Sequence, residues 1–305
     1  MSDNEPILVG VNGSRGSSAA IRYAVHEARR LGTDVRLVHV LHEIVPVSPM
    51  FPLLPSDLQN AGQSLLDGAA AEARELDPSV PVSTTLAHGP RALALLEAAK
   101  SAQLVVLGHE PRATFERLVT GSTVTPVAAM ALRPVVVVHP DWSPTQEQAC
   151  VLVGIKSTPH SEQLLRGGFE AAARRGARLL LVHSWELPNE YDELISSRVD
   201  QAGCVRPAAN AIQAGIEGLT KAYPEVPVEI RVVHGQAAWV LREASNEADL
   251  VLLARRARLF PTGHLGGTLR ALLRHSHCPV AVLPSAHQRD QGQDLVLEQD
   301  GVLQK

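Results

Sequence analysis

The amino-acid sequence predicts two tandem α/β domains, each built from a parallel β-sheet flanked by helices. The first indication is an internal repeat, because short motifs of the first half return in the same order about 145 residues later. That period is far longer than the roughly 20 to 50 residues of a solenoid unit. The second indication is the alternation of short branched-aliphatic runs with helical patterns in each copy. The length of 305 residues also suits two domains of ordinary size.

The repeat consists of five pairs of matching segments. These pairs are Ile7–Asn12 with Val151–Lys156, Leu37–His39 with Leu181–His183, His88–Gly89 with His234–Gly235, Leu104–Gly108 with Leu250–Ala254, and Arg133–Val138 with Cys278–Leu283. Since order and spacing are kept, each copy is expected to be a whole domain. The first domain is predicted at residues 1–140 and the second at residues 149–284, joined by a linker at His139–Gln148.

The elements of the first copy follow from its hydrophobic periodicity and its glycines and prolines. Residues 6–12 form a near-continuous apolar run, as expected for a strand buried on both faces. A helix is predicted at Ser17–Leu31, with Gly32 as its C-cap. The remaining predicted elements are strands at residues 34–41, 80–86, 104–108 and 135–138, helices at residues 57–76, 91–100 and 123–132, and a proline-rich loop at residues 42–55.

The second copy repeats this scheme with one longer helical region, at residues 192–223. Pro207 is predicted to break or kink that helix, because proline removes a backbone donor and its ring crowds the preceding turn. The polar tail at residues 285–305 is expected to be disordered.

Composition excludes several classes of protein. The 28 basic residues nearly balance 32 acidic ones, which argues against nucleic-acid binding. No apolar run approaches the roughly 18 residues that a membrane span needs, and the polar N-terminus is unlike a signal peptide. The three isolated cysteines, Cys150, Cys204 and Cys278, suit a reducing compartment. These features predict a cytoplasmic protein.

The candidate site of the first copy is the loop that follows its fourth strand. The pattern there is Gly108-x2-Pro111-x9-Gly121-Ser122, leading into a helix. Glycine at a strand end lets a ligand approach the backbone, and a helix start offers unpaired N–H groups to an anion. Such turns at the carboxyl edge of a parallel sheet are where α/β folds bind ligands. Taken alone, the pattern more often marks a turn and a cap.

With this loop, the runs Val9–Ser14 and His275–Val280 and the two Leu-Val-His triplets resemble the universal stress protein family in a tandem form. The resemblance covers residues 5–140 and 149–284. It implies Rossmann-like domains with five-stranded sheets in the order 3-2-1-4-5. The family's ATP-binding members carry Gly-x2-Gly-x9-Gly-Ser/Thr after strand four and an aspartate at the end of strand one.

The resemblance implies a nucleotide site held mainly by the first domain. The matching residues are Gly10, Asn12, Val40, Gly108, Arg112, Gly121, Ser122 and Thr123, with Gly266, Gly267 and Thr268 as weaker candidates in the second domain. Pro111 replaces the family's second glycine and removes an N–H group. Asn12 replaces the aspartate and keeps a carbonyl acceptor without the charge.

The second copy departs further from the family's pattern. It has Ala254 and Ala257 in place of the glycines, and Lys156, which offers no acceptor to a ribose, in place of the aspartate. Its loop carries Arg255, Arg256 and Arg258. One interpretation is that this loop binds an anion or a nucleotide in a different pose, because arginines pair with phosphates. The simpler interpretation is a solvated loop.

The histidines allow both chemical and structural interpretations. His39 and His183 end the second strand of each copy, where a structural role is favoured over that of a catalytic base. His275, His277 and Cys278 contain metal-ligating side chains, but side chains two apart on a helix diverge, and we expect no metal site. The sequence lacks the common nucleotide-hydrolysis, serine-hydrolase and zinc-protease motifs, so we expect no catalytic residues and no enzyme.

The sequence therefore predicts a stress-response regulatory protein that binds ATP or a related adenine nucleotide, with or without Mg²⁺. The alternative is a scaffold or interaction protein whose glycine loops are vestigial, and ATP hydrolysis ranks third. An unidentified regulatory protein is the expected partner. The uncharged run Val135–Val138 is expected at a sheet edge, where it would pair with the matching strand of the same chain or of a second copy.

Overall fold

The computed structural model describes residues 5–41, 55–109, 123–144, 149–156, 161–186, 201–255 and 265–284. The chain forms two compact units. One is centred on residues up to Pro144, and the other on Thr145–Ala254 and Gly266–Ala281. The predicted tail at residues 285–305 lies outside the described residues.

The first unit opens with a buried strand, β1 (Ile7–Gly10), and a helix, α1 (Arg15–Leu31). Ser14 caps the helix, since its side chain accepts a hydrogen bond from the Ser17 backbone. Gly32 ends it in the left-handed conformation with φ of 63°, which only glycine adopts without strain. The predicted C-cap is confirmed.

The other elements of the first unit follow the predicted order. They are β2 (Val35–Leu41), α2 (Pro55–Leu76), β3 (Val82–His88), α3 (Arg91–Ala98) with a 3-10 turn (Ala99–Ser101), β4 (Leu104–Gly108), α4 (Val124–Met130) and β5 (Val135–Val138). The predicted bounds differ from these by about two residues at most, the usual uncertainty at element ends. The predicted loop at residues 42–55 lies almost wholly outside the described residues.

The second unit repeats the same order of elements. They are β6 (Cys150–Ile155), α5 (Glu162–Arg175), β7 (Arg178–Trp185), α6 (Gln201–Ala222), β8 (Val228–His234), α7 (Ala237–Ala244) with a 3-10 turn (Ser245–Glu247), β9 (Leu250–Ala254), α8 (Gly267–His275) and β10 (Val280–Leu283). The prediction at Pro207 was a break or a kink. The break is wrong, because α6 continues through the proline, and the kink stays a prediction. The proline lies in the second helical turn, so the strain is confined to the few residues before it.

The strands of each repeat form a sheet with the order implied by the family resemblance. In the first unit the order is β3-β2-β1-β4-β5, and in the second repeat it is β10-β9-β6-β7-β8. The registers are parallel, as in the pairs Gly10 with Leu107 and Gly108 with Val138. The central strands of the two sheets, β1 and β6, are almost fully buried, as expected where helices cover both faces of a sheet. Two tandem Rossmann-like domains are confirmed.

The first part of the predicted linker packs on α1. Arg22 donates to the carbonyl oxygens of Pro140 and Trp142, both at 3.3 Å. The Trp142 ring meets Tyr23 edge to face, with centroids 5.1 Å apart. Residues 139–144 are therefore fixed to the first unit, and residues 145–148 lie outside the described part of the chain.

Within the described ranges, no helix is both long and apolar enough to cross a lipid bilayer.

Candidate functional site

The candidate site lies at the carboxyl edge of the first sheet, where β1 and β4 are neighbours. Gly10 of β1 pairs with Leu107 of β4, so the residues just beyond them, Val11 and Gly108, are adjacent. The connection after β1 leads to α1, and the strand order reverses between these two strands. Such a switch point is the usual ligand crevice of a parallel α/β sheet. The structure therefore brings the predicted residues Asn12 and Gly108 to one edge.

Asn12 organises the turn that links β1 to α1. Its Oδ1 accepts from the Ser14 backbone N–H at 3.2 Å and from the Ser14 hydroxyl at 2.7 Å. Gly13 takes a positive φ of 74°, which lets the chain turn into the helix. A carbonyl oxygen has two lone pairs, and Ser14 occupies both. A ribose hydroxyl that bound to this oxygen would have to displace one of these donors.

Gly108 is required by chain packing at this edge. A Cβ atom there would lie 2.1 Å from the carbonyl carbon and oxygen of Gly16. A Cβ atom on Gly16 would lie 2.7 Å from the His109 carbonyl oxygen. The first turn of α1 therefore docks directly on the end of β4. The sequence assigned Gly108 to ligand approach, whereas the structure gives this glycine a neighbour from its own chain.

Gly10 also has a packing role, and the second unit repeats it. A Cβ atom on Gly10 would lie 2.7 Å from a methyl group of Leu107. The equivalent glycine, Gly154, would meet Leu253 at the same distance and Leu241 at 2.8 Å. Val40, the predicted pocket residue on β2, is 8% exposed. The packing of Gly10 and Gly154 against leucine side chains is therefore common to both repeats.

His39 and His183 have the same structural partner in the two units. His39 Nδ1 donates to the carbonyl oxygen of Val11 at 2.8 Å. His183 Nδ1 donates to the carbonyl oxygen of Ile155 at 3.0 Å. Each imidazole thus links the end of its second strand to the end of its first. The structural interpretation of these histidines is supported in both repeats.

The loop after β4 lies mostly outside the described residues, and with it Pro111, Arg112, Gly121 and Ser122. Thr123 is described, at the N-cap position of α4, and its side chain makes no capping hydrogen bond. The predicted phosphate contacts in this loop therefore stay predictions.

The edge of the second sheet offers a different set of groups. Lys156 and Ala254 are both exposed. Gly266 is the N-cap residue of α8, whose first turn contains Gly267 and Thr268. Neither glycine has a heavy atom within 4 Å of the position of an added Cβ. These glycines are therefore not required by packing.

Arg255, which the sequence left open as an anion-binding residue, has another role. It groups with the first unit, where it is 8% exposed and donates to the carbonyl oxygens of Ala129 and Ala131 at the end of α4. Burial lowers the pKa of this guanidinium to about 10. The positive charge lies at the negative end of a helix, where a cation is favoured. Arg256 and Arg258 lie outside the described residues.

The side chains of His275, His277 and Cys278 do not share one environment. His275 and His277 are exposed, whereas Cys278 is buried, and its burial raises the pKa of the thiol to about 12. Across the described residues, no three side chains of histidine, cysteine, aspartate or glutamate come together as a metal site.

Sequence reasoning missed one feature of the edge, the pair His109 and His139. Their ring centroids lie 4.9 Å apart, with an angle of 59° between the ring planes. The two residues are 30 positions apart in the sequence, so only the register of β4 with β5 could have revealed them. They follow Gly108 and Val138, which are paired.

Comparison with known proteins agrees with this fold and its duplication. The profile of the Universal stress protein family matches residues 4–139 and again residues 150–284. A universal stress protein of Mycolicibacterium smegmatis is 31% identical over 277 residues, which are 88% of this chain and 93% of the relative. One from Mycobacterium tuberculosis is 29% identical over 286 residues, 90% of this chain and 96% of the relative.

Solved structures show the same architecture. The crystal structure of a universal stress protein from Archaeoglobus fulgidus superimposes with a TM-score of 0.67 at 15% identity, covering 92% of this chain and 98% of that one. A putative universal stress protein from Pseudomonas aeruginosa gives a TM-score of 0.59 at 14% identity, covering 95% of each chain. At these identities the likeness concerns the fold. The family profile matches most of the chain, twice in succession, and the chain therefore belongs to the universal stress protein family, as a member with two tandem domains.

Proposed function

We propose that this protein is a stress-response regulator that binds an adenine nucleotide at the carboxyl edge of its first domain. The observation that carries the proposal is the meeting of the Asn12–Ser14 turn and Gly108 at the switch point between β1 and β4. In parallel α/β sheets this crevice is the usual ligand site. The resemblance to ATP-binding family members supports ATP or a related nucleotide as the ligand.

The roles within this site follow from the groups that are present. Val40 supplies an apolar wall suited to a base. Asn12 is exposed at the turn and offers an amide to a ribose hydroxyl, in competition with Ser14. Gly121 and Ser122 are assigned to the phosphates by their match to the family's motif. The first domain is preferred because Lys156 and Ala254 replace Asn12 and Gly108 in the second.

The role that we propose is binding, without a chemical step. His39 ends β2 at this edge, and its Nδ1 is committed to the Val11 carbonyl oxygen. The ring is thereby oriented as a link between strands. Regulation would then depend on which nucleotide is bound and on a partner protein that distinguishes the bound form.

Isothermal titration of the full chain with ATP and with AMP, each with and without Mg²⁺, tests the proposal. Asn12→Lys imports the residue of the second repeat and should abolish the binding seen with wild type. Lys156→Asn is the matched control and should leave that binding unchanged. Thermal melting shows whether either variant is folded. Binding that survives Asn12→Lys and disappears in Lys156→Asn would overturn the assignment to the first domain.

One observation favours a second candidate, a scaffold that binds no nucleotide. Gly108 is explained by its contact with Gly16 alone, so its presence does not require a ligand. In such a protein, assembly through the uncharged strand Val135–Val138 would be the main activity. The double variant Val136→Lys and Val138→Lys would then change both the sedimentation coefficient and the melting temperature, while wild type would give no heat with any adenine nucleotide.

A further inference from the structure

Two imidazoles lie side by side at the carboxyl edge of the first sheet, and the site described above uses neither. His109 follows β4 and His139 follows β5. The backbone N–H of His109 donates to the Val138 carbonyl oxygen at 2.7 Å, so the parallel pairing extends one residue past the strand ends. Matched residues of neighbouring parallel strands project to the same face. The register of β4 with β5 therefore places the two rings side by side.

The spacing of the rings fits two ligands of one metal ion. With metal–nitrogen bonds of about 2.0–2.1 Å, each ring centroid lies roughly 3.2 Å from a shared ion, and a tetrahedral angle then separates the centroids by about 5.2 Å. The observed separation is 4.9 Å. We propose that His109 and His139 together bind a divalent transition-metal cation such as Zn²⁺ at the edge of the first sheet.

The ligand set defines which cations the site takes. Imidazole nitrogen favours Zn²⁺, Co²⁺ and Ni²⁺, whereas Mg²⁺ prefers oxygen ligands. The described residues bring no third metal-binding side chain to the pair, so two or more positions on the ion are left for other donors. Gly108 directly precedes His109, at the edge assigned to the nucleotide. In the part of this inference that rests on the proposed function, phosphate oxygens of the nucleotide fill those positions, and metal and nucleotide strengthen each other's binding.

The second domain provides an internal contrast. Arg255 stands at the position that matches His109, and Pro284 at the position that matches His139. Neither residue is a metal ligand of this kind. Among the described residues, the arrangement therefore occurs in the domain that also retains Gly108 and Asn12 and not at the matching positions of the second repeat.

Metal binding is tested first without nucleotide. Zn²⁺ is titrated into the full chain in competition with a chelator, and Co²⁺ absorption in the visible range reports the coordination geometry. His109→Asn and His139→Asn, which keep polarity and approximate size, should each weaken Zn²⁺ binding by about tenfold or more, since even loss of an outer-shell partner costs that much. The control His88→Asn, at an exposed position on β3, should bind as wild type does.

Wild type alone gives a second readout, because ¹⁵N spectra of the imidazoles need no variant. Zn²⁺ should shift the ring signals of two histidines together, at one equivalent of metal per chain. Equal Zn²⁺ affinity in wild type and both asparagine variants, or the absence of any saturable site in wild type, would overturn the proposal and leave the rings as a packing contact.

The link to the nucleotide is tested by titrating AMP with and without saturating Zn²⁺. We expect tighter AMP binding with Zn²⁺ in wild type and no such gain in His139→Asn. AMP binding that ignores Zn²⁺ would overturn the shared site and leave the proposed function standing. Zn²⁺ binding that needs both histidines, without any AMP binding, would instead support the metal site and overturn the nucleotide proposal.

Discussion

The two domains make the same internal contacts at some positions of their sheet edges and different ones at others. Gly10 and Gly154 are both packed under leucine side chains, and His39 and His183 both hold a strand-one carbonyl. By contrast, Gly108 docks on α1, whereas its counterpart Ala254 is exposed. The shared contacts belong to the fold, and the differences are where the two domains have diverged.

The opposite edges of the two sheets also differ in their contacts. In the first domain, Thr33 donates to the Glu5 carbonyl oxygen at 2.9 Å, Gln103 donates to the Thr33 hydroxyl at 3.1 Å, and Arg133 pairs with the Glu5 carboxylate at 3.1 Å. The second domain has a larger charge network there. Arg178 and Arg231 bridge Glu229 and Glu247 in a four-membered network. The two repeats thus differ in the number of charged side chains that pair at this edge.

The contact of Gly108 with α1 should give the largest effect. Gly108→Ala places a methyl group against backbone atoms of Gly16, and we expect a loss of about 3 kcal/mol in the free energy of unfolding. Ala254→Gly, the reverse change in the second domain, should cost about 1 kcal/mol or less. Urea denaturation followed by circular dichroism measures both.

Gly68→Ala is the matched control, because an added Cβ there meets nothing within 4 Å. Gly68 lies inside α2, so alanine should stabilise the protein by about 0.5–1 kcal/mol. If Gly108→Ala were as harmless as this control, the close docking of α1 on β4 would be wrong.

The histidine contacts should have equal weight in the two domains. His39→Leu and His183→Leu each leave a strand-one carbonyl oxygen without its donor, at a cost of about 2 kcal/mol. Exposed His88 on β3 is the control, and His88→Leu should stay within about 0.5 kcal/mol of wild type. A large loss in one domain and none in the other would contradict a common structural role.

The charge network should give a smaller effect, confined to the second domain. Arg231 is 34% and Glu247 is 42% exposed, so Arg231→Gln should cost about 1 kcal/mol or less. The hydrogen bond from Arg231 lowers the pKa of Glu247 below its ordinary value. The stabilisation that the Arg231–Glu247 pair contributes is therefore full above the ordinary glutamate pKa and is lost as the pH falls through the lowered pKa.

Denaturation at neutral and acidic pH, with and without added salt, measures this difference. Arg166→Gln is the control, since Arg166 and Glu162 form one exposed pair at 3.8 Å, and it should be close to neutral. An Arg231→Gln penalty that grows toward acid would contradict the assigned role of Glu247.

The effect expected for Asn12→Asp is on nucleotide affinity instead of stability. A carboxylate keeps one oxygen on Ser14, as Asn12 does now, and presents the second oxygen to a ribose hydroxyl as a charge-assisted acceptor. AMP affinity should rise roughly fivefold, or about 1 kcal/mol. Lys156→Asp, its counterpart, should leave AMP binding unchanged. Calorimetry that finds no gain in Asn12→Asp would show that the ligand does not use this side chain.

Hydrophobic periodicity and the positions of glycine and proline predicted the fold well, because they reflect local physics. In any chain, an apolar run like that of β1 predicts a buried strand, and a glycine like the one after α1 predicts the end of a helix. The break that was one of the two outcomes predicted at Pro207 does not occur, because a helix can absorb a proline near its start, and the sequence does not show where that start lies.

The candidate site was less predictable because it depends on distant contacts. The pattern around Gly108 predicted a ligand site, which stays a prediction, and it did not reveal the packing of Gly16 against this glycine, since a sequence does not show what lies next to a missing side chain. The pair His109 and His139 depends on the register between two strands, and no motif spans them. For exposed Lys156, by contrast, the chemistry of the side chain alone carries the prediction, because lysine offers no acceptor.

The packing of Trp142 on Tyr23 has a practical consequence for spectroscopy. The chain has three tryptophans, of which Trp142 belongs to the first unit and Trp185 and Trp239 to the second. Trp239 is 57% exposed, whereas the Trp185 ring contacts His234 in a tilted arrangement with ring centroids 4.5 Å apart. Variants that keep a single indole would therefore give the emission of one domain at a time, and the unfolding of each repeat could be followed within the intact chain.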